Sequence, residues 1–262
     1  MDTDIIPKFE LKADLTDVAK EAYDDTLKEP LKSSSGIVST VMDFFHNTVL
    51  YPMQHYNLYA KSKLQNYAIE LQNKAQKIPK ENLITPRVNI LGPAIEGLKY
   101  NLEEDYIKEY FTNILIADMD NRKQNKVLPS YIEIVKQLSK NDAETLQFLK
   151  EKTIRENPII KLKYIFDNGG FTYVSDNIGL LYDGKDIVLD AVILDNLCRL
   201  KLIELNFDMH RKDETVYKEA FERIKLRDEF KVLPNSAKDL GYSKGLLKIT
   251  QFGKNFIDIC LS

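Results

Sequence analysis

The sequence of 262 residues predicts a mainly α fold of the α+β class, arranged in two parts. Apolar residues recur at helical spacing through most of the first half, whereas strand-like alternation appears only in the second half. Hydrophobic residues make up 44% of the chain and charged residues 29%, which is typical of a globular protein with a sizeable core. We therefore predict a helical domain over 1–128 and an α+β domain over 129–262.

Prolines and small polar residues divide the first half into helices. Pro30 interrupts one helical stretch and Pro52 closes the next, since an interior proline loses a helix hydrogen bond and clashes one turn back. The segment 82–93 contains two prolines and a glycine, so we predict an irregular connector there. The predicted helices of this half are 18–27, 36–51, 53–77, 94–101 and 106–119.

The second half changes repeatedly between helical and strand-like spacing. Asn141 and Glu144 have the spacing of a capping box, and the turn 167–170 follows an alternating strand. The predicted elements are helices 131–138, 143–149, 187–200, 214–226 and 252–261, with strands 160–166, 202–207 and 246–250. This order resembles a divergent winged-helix domain, although the stretch 206–245 is long for a wing.

The predicted helix 36–51 has an apolar face with two possible destinations. We interpret this face as a candidate interaction or membrane face, formed by Ile37, Val41, Phe44, Phe45 and Val49. Membrane-surface helices usually carry Lys and Arg on the polar face, and this helix has only Lys32 upstream. Packing in the protein core is therefore favoured, and a conditional membrane contact is the alternative.

A winged-helix interpretation raises the question of nucleic-acid binding. The helix 187–200 would enter the major groove, and its basic candidates are Arg199 and Lys201. Around this helix Asp186, Asp190 and Asp195 balance Lys185, Arg199 and Lys201, and the net charge of the chain is −3. Since a duplex reader needs a surplus of basic side chains, nucleic acid is not the expected partner.

No pattern of residues predicts a catalytic, cofactor-binding or metal-binding site. The three histidines lack Cys or carboxylate partners at ligand spacing, and no nucleophile elbow or phosphate-binding glycine loop occurs. The nearest candidates are the carboxylate pairs Asp24/Asp25 and Asp118/Asp120, which are too few for a divalent cation. We therefore expect a protein that is not an enzyme and needs no cofactor.

The sequence also predicts a cytoplasmic location. The N-terminal residues are acidic and lack the basic start and apolar run of a signal peptide. No stretch is long and apolar enough to predict a membrane-spanning helix. Cys198 and Cys260 both lie in apolar, helix-like stretches, so we expect reduced core residues and not a secreted disulfide framework.

Several strings along the chain together resemble the abortive-infection alpha family of bacterial proteins. They are DVAKEAYDDTLKEPLK (17–32), KIPKENL (77–83), LGPAI (91–95), EYFTNILIADMD (109–120), PSYIEIVKQLS (129–139), DNLCRLKLIEL (195–205) and ITQFGKNFIDIC (249–260). This resemblance implies a role in defence against phage, without an established catalytic site. The chain has Leu128 where the family pattern suggests a histidine, and Ser34, Ser35 and Ser39 where it suggests glycines.

The resemblance and the missing catalytic patterns together predict a non-enzymatic anti-phage protein that works through protein–protein contacts. The expected partner is another protein or a second copy of the chain. Two alternatives stay open: a membrane-acting effector that uses helix 36–51, and a winged-helix regulator that binds nucleic acid.

Overall fold

A computed structural model describes residues 67, 69–151, 156–182, 185–226, 228, 232–234 and 237–261. The described residues combine helices with an antiparallel sheet, so the predicted α+β, mainly helical class is confirmed. The chain divides into two compact units, with the boundary between Lys136 and Gln137. The predicted boundaries of the two domains stay a prediction.

The described part of unit 1 is helical. Residues 69–75 are helical, and the elements that follow are a 3-10 turn at Lys80–Asn82, α1 at Val88–Tyr100, α2 at Asp105–Asp118, a 3-10 turn at Gln124–Lys126 and α3 at Pro129–Val135. The apolar faces of α1 and α2 are fully buried, with Ile90 and Leu98 on α1 and Phe111 and Ile114 on α2. Gly97 lets the helices approach closely, since a Cβ there would lie 2.4 Å from Cζ of Phe111.

The prediction of an irregular connector over 82–93 is wrong for its last part, because α1 already begins at Val88. Pro93 lies inside α1 and costs the helix one hydrogen bond, a penalty of about 3 kcal/mol. Ile90 and Leu91, on the turn before Pro93, are 0% and 1% exposed. Burial of two such side chains contributes about 1.5–3 kcal/mol each, which outweighs the loss at the proline.

Unit 2 is built around a five-stranded antiparallel sheet with the order β3-β2-β1-β5-β4. Its elements are α4 at Lys140–Glu151, β1 at Glu156–Ile165, β2 at Phe171–Tyr182, β3 at Lys185–Leu189, α5 at Ala191–Arg199, β4 at Ile203–Asn206, α6 at Thr215–Lys225, β5 at Asp239–Ile249 and α7 at Gln251–Cys260. One face of the sheet packs against α6, with Ile160, Leu162 and Leu240 beside Tyr217 and Ile224.

The structure corrects the predicted start of the helix 187–200. Ile187–Leu189 belong to β3, and α5 begins only at Ala191. A short apolar run fits either a buried strand or one helical turn, so its spacing did not decide between them. The decisive residue is Asp190, whose side chain accepts a hydrogen bond from the backbone N–H of Val192 at 2.8 Å and caps α5.

Strand β2 was not predicted, whereas the turn before it was. In that turn the Asn168 side chain accepts a hydrogen bond from the N–H of Gly170 at 2.9 Å, and Gly169 has a φ of 79°. Strand β5 also begins earlier than predicted, at Asp239.

The capping box at the start of α4 uses a different pair from the predicted Asn141 and Glu144. Ser139 donates its hydroxyl to Oδ2 of Asp142 at 2.7 Å, and its backbone N–H bonds the same oxygen at 2.8 Å. The N–H of Asp142 in turn donates to the Ser139 hydroxyl at 3.2 Å. A shorter acidic side chain three residues after the serine therefore does the work that was assigned to glutamate.

The end of α5 and the start of α7 are joined by the Thr250 side chain, which bonds the backbone at both places. After α5 the chain turns through Lys201, which has a φ of 59°, and the N–H of Leu202 donates to the carbonyl of Leu197 at 3.0 Å. Thr250 donates its hydroxyl to the Lys201 carbonyl at 2.6 Å and accepts from the N–H of Gly253 at 2.8 Å, which caps α7. The strings 195–205 and 249–260 therefore meet at one joint.

Gly253→Ala is expected to destabilise the protein, because the new Cβ would lie 2.0 Å from the carbonyl oxygen of Leu202. Overpacking of this kind costs about 1–3 kcal/mol or more in the free energy of unfolding. The matched control is Gly92→Ala in α1, where nothing lies within 4 Å, and it is expected to stabilise by about 0.5–1 kcal/mol. Urea unfolding measures the free energy of unfolding of both variants. Equal changes in the two would contradict a close contact between Gly253 and the Leu202 carbonyl.

Candidate functional site

The predicted interaction or membrane face, Ile37, Val41, Phe44, Phe45 and Val49, lies outside the described residues. The structure therefore neither places these side chains in a core nor exposes them. Among the residues that the structure does describe, none belongs to a helix with the length and apolar character needed to cross a membrane.

Arg199 and Lys201, the candidate nucleic-acid face, lie at the C-terminal end of α5. The Arg199 guanidinium donates to Oε1 of Gln137 at 2.9 Å and to Oδ1 of Asn196 at 2.7 Å. Asn196 also donates to the cap residue Asp142 at 3.0 Å. Arg199 is thus part of a polar network at the start of α4, and Lys201 forms the turn that ends α5, so both have structural roles.

The carboxylate pair Asp118 and Asp120 is divided between two arginines. Asp118, fully buried at the end of α2, accepts from the Arg87 backbone N–H at 2.6 Å and from its Nε and Nη2 at 2.8 and 2.6 Å. The same guanidinium donates to the carbonyl of Val127 at 2.8 Å. Asp120 pairs with Arg122, with Nη2 and Oδ2 2.6 Å apart.

These pairs give the carboxylates opposite electrostatic surroundings. Burial raises the pKa of the Asp118 carboxyl above its ordinary value, although the hydrogen bonds and charge of Arg87 oppose that rise. The hydrogen bonds from Arg122 lower the pKa of Asp120. The Arg87–Asp118 pair connects the start of α1, the end of α2 and the segment that leads into α3, so its geometry is that of a structural clasp.

Metal-binding and thiol chemistry have no assembled site in the part of the chain that the structure describes. Within those residues, no group of three or more His, Cys, Asp or Glu side chains could hold a metal ion. Burial raises the pKa of both thiols, moderately for Cys198 in α5 and strongly for Cys260 in α7. A reactive cysteine needs the opposite shift, and of the two thiols Cys260 is buried whereas Cys198 is half-buried.

The candidate site that the structure does assemble is a surface on the hairpin of β1 and β2. We call it the hairpin surface, and its members are Lys161, Lys163, Phe171 and Tyr173. The Nζ of Lys161 lies 4.5 Å from the ring centre of Tyr173, and the Nζ of Lys163 lies 4.5 Å from that of Phe171. The two ring centres are 5.5 Å apart in an edge-to-face arrangement. The aromatic residues are 53% and 43% exposed, for Phe171 and Tyr173 respectively.

Strand register explains why these four side chains share one face. Lys163 pairs with Tyr173, and Ile165 pairs with Phe171, so each lysine reaches diagonally across the strands to a ring. Between Lys161 and Lys163 the register with β2 shifts, and an irregularity of this kind re-aims side chains. On the other neighbour, β5, Lys161 pairs with Ser243 and Lys163 with Gly241, and the side chains of Ile165 and Lys163 pass over the glycine.

The sequence predicts only one of the two strands that form the hairpin surface. Lys161 and Lys163 are the polar residues of the predicted strand 160–166, but β2 is not predicted, so Phe171 and Tyr173 are not assigned to any element. A further signal was available: aromatic residues at alternate positions directly after the turn 167–170 predict a second strand of a hairpin.

The family model described as abortive infection alpha matches residues 60–260 of the chain. The chain belongs to the abortive infection alpha family. Neither the curated proteins nor the solved structures include a significant match to it. The resemblance read from the strings is thereby confirmed, and the family's region covers all of the described elements.

The Arg87–Asp118 clasp and the hairpin surface both lie within the region that matches the abortive infection alpha family. The segment 1–59, which includes the predicted helix 36–51, lies before that region. Leu128, at the position where a histidine was expected, precedes α3 and is 38% exposed. An aliphatic side chain there carries no acid–base chemistry.

Arg87→Met is expected to lower the free energy of unfolding at neutral pH by about 3–5 kcal/mol, because it leaves the Asp118 carboxylate buried without its partner. The backbone N–H of residue 87 still donates to Asp118, but the guanidinium that opposed the effect of burial is gone, so the pKa of Asp118 rises further above its unfolded value. A raised folded pKa means that stability is retained below the unfolded value, about pH 4, and is lost as the pH rises. The penalty relative to wild type should therefore shrink at low pH.

Urea unfolding at pH 7 and pH 4 checks this, with Asp118→Asn as the matched variant. The asparagine leaves Arg87 without its anion, but the Arg87 side chain is 38% exposed and can be hydrated, so the loss should be smaller. A penalty for Arg87→Met that does not depend on pH would contradict a clasp that holds a buried charge.

Proposed function

We propose that this member of the abortive infection alpha family protects bacteria against phage from the cytoplasm, through protein–protein contacts and without catalysing a reaction. The phage-defence role follows from the family. The absence of catalysis and the protein partner are the parts that need testing.

The observation that carries the proposal is that the buried carboxylates take part in contacts within the fold. Among the described residues the buried carboxylates are Asp118, Asp120 and Asp142. Two of them pair with arginines, and the third caps α4 while accepting from Asn196. Carboxylates that act in catalysis are directed at a substrate, whereas Asp118 and Asp142 contact helix ends and Asp120 pairs within the turn after α2.

A divergent winged helix in unit 2 remains part of the proposal. It is supported by α5, by the antiparallel pairing of β4 with β5, and by α7 directly after β5. The insertion of α6 between β4 and β5, and the pairing of β5 with β1, depart from a simple wing. Because Arg199 is held by Gln137 and Asn196, a structural or protein-contacting role for α5 is favoured over groove reading.

A phage-plating assay tests whether a buried carboxylate is catalytic. Cells that express Asp118→Asn, Asp120→Asn or Asp142→Asn should keep their protection wherever soluble protein accumulates to the wild-type level. Loss of a catalytic acid or base would lower activity about 10²–10⁴-fold without changing the amount of protein. Loss of protection at equal soluble protein would therefore contradict a non-enzymatic mechanism.

If the protein acts through protein–protein contacts, its mass in solution should exceed that of the monomer. The full chain should sediment as more than the 30.3 kDa monomer, either when purified or in extracts of infected cells. A catalytically inactive monomer in both conditions would contradict it. The plating variants that keep protection serve as controls, since they should sediment like the wild type.

A further inference from the structure

We propose that the hairpin surface, Lys161, Lys163, Phe171 and Tyr173, binds single-stranded nucleic acid. In this arrangement unpaired bases stack on the parts of the two rings that the lysines leave exposed, and the ammonium groups contact the adjacent phosphates. The proposal goes beyond the proposed protein contacts and does not depend on them. It also places nucleic-acid binding on the sheet and not on α5.

The exposure of the two rings is the first observation. Phe171 and Tyr173 remain about half exposed, at 53% and 43%, although each already has a lysine over it. Directly across the sheet, Leu162 and Val174 are buried against α6, so this part of the sheet has one closed and one open face. Aromatic rings on an open sheet face are a recurring platform for base stacking.

The placement of charge is the second observation. Each ammonium lies 4.5 Å from a ring centre, so an anion bound by the lysine is next to whatever stacks on that ring. At the hairpin end, the Nζ of Lys238 lies 3.6 Å from Oδ1 of Asp167, and Asp239 pairs in register with Ile165. These five charged residues sum to +1, in a chain whose net charge is −3.

The combination of rings and lysines favours this ligand over the other polyanions. In a duplex the base faces are stacked on one another, so the rings would contribute nothing and only the lysines would bind. An acidic peptide would likewise use the lysines and leave both rings in water. Unpaired nucleotides are the ligand that uses aromatic faces and phosphate contacts together.

The chain contains no tryptophan, which allows a direct test of stacking. Phe171→Trp and Tyr173→Trp each create a protein with one indole, and both keep an aromatic ring at the site. Binding of a dT12 or rU12 oligonucleotide to the full chain should quench this indole. The control is Tyr100→Trp, at an exposed tyrosine that also has a lysine, Lys99, 5.5 Å from its ring centre. That indole should not respond.

Affinity measurements by fluorescence anisotropy complete the test. Replacing both rings, Phe171→Ala with Tyr173→Ala, should weaken oligonucleotide binding about ten-fold or more, whereas Phe171→Tyr with Tyr173→Phe should preserve it. Lys161→Ala with Lys163→Ala should reduce the slope of log affinity against log salt by about 1.4. Comparison of dT12 with rU12 shows whether DNA or RNA is preferred.

Three results would overturn the proposal. The first is that wild type binds neither dT12 nor rU12 at low salt. The second is that a 12-base-pair duplex binds as tightly as dT12 and is equally sensitive to loss of the rings. The third is that Lys99→Ala with Tyr100→Ala weakens binding as much as the double alanine variant of the rings. Circular dichroism of each variant confirms that the fold is retained, and the indole signal is measured on proteins that keep every ring.

Discussion

Unit 2 depends on the alternation of side chains along β1, which is the central strand of the sheet. Because successive residues point to opposite faces, Ile160 and Leu162 enter the core against α6, and Lys161 and Lys163 are directed to the other face. Pairing with β5 on one side and β2 on the other fixes this register. A slip of one residue would bury both lysines and expose the core, so the same constraint stabilises the unit and creates the hairpin surface.

Unit 1 is organised by a different constraint, the burial of one negative charge. The Asp118 carboxylate is excluded from water and is satisfied by Arg87, whose guanidinium also bonds the segment before α3. A buried charge is tolerated only with such partners, so the two helix ends and the following segment must adopt a single arrangement. The Arg87–Asp118 pair therefore holds these segments in position. The Asp118 carboxylate, which the sequence offered as a possible metal ligand, is instead bound to Arg87.

The two constraints place ionisable groups in two kinds of surroundings, the interior and an open sheet face. The buried carboxylates contact helix ends or the turn after α2, and of the two thiols Cys260 is buried and Cys198 is half-buried. Cationic and aromatic groups are instead grouped on an open sheet face. In the described residues, the ionisable groups of the interior therefore support the fold, and the lysines of the hairpin surface lie beside exposed rings.

The sequence by itself determined the α+β class, the helices around 106–119, 214–226 and 252–261, the turn 167–170 and the family, because these depend on local spacing and on characteristic strings. It did not predict the start of α1 at Val88, it assigned the residues of β3 to a helix, and it assigned the cap of α4 to the wrong pair of residues. In each case a local signal was ambiguous and burial or a single hydrogen bond decided. Only the tertiary structure joined Arg87 to Asp118 and brought Lys161 and Lys163 to Phe171 and Tyr173. Those contacts depend on helix packing and strand register, which bring together residues that local sequence patterns treat separately.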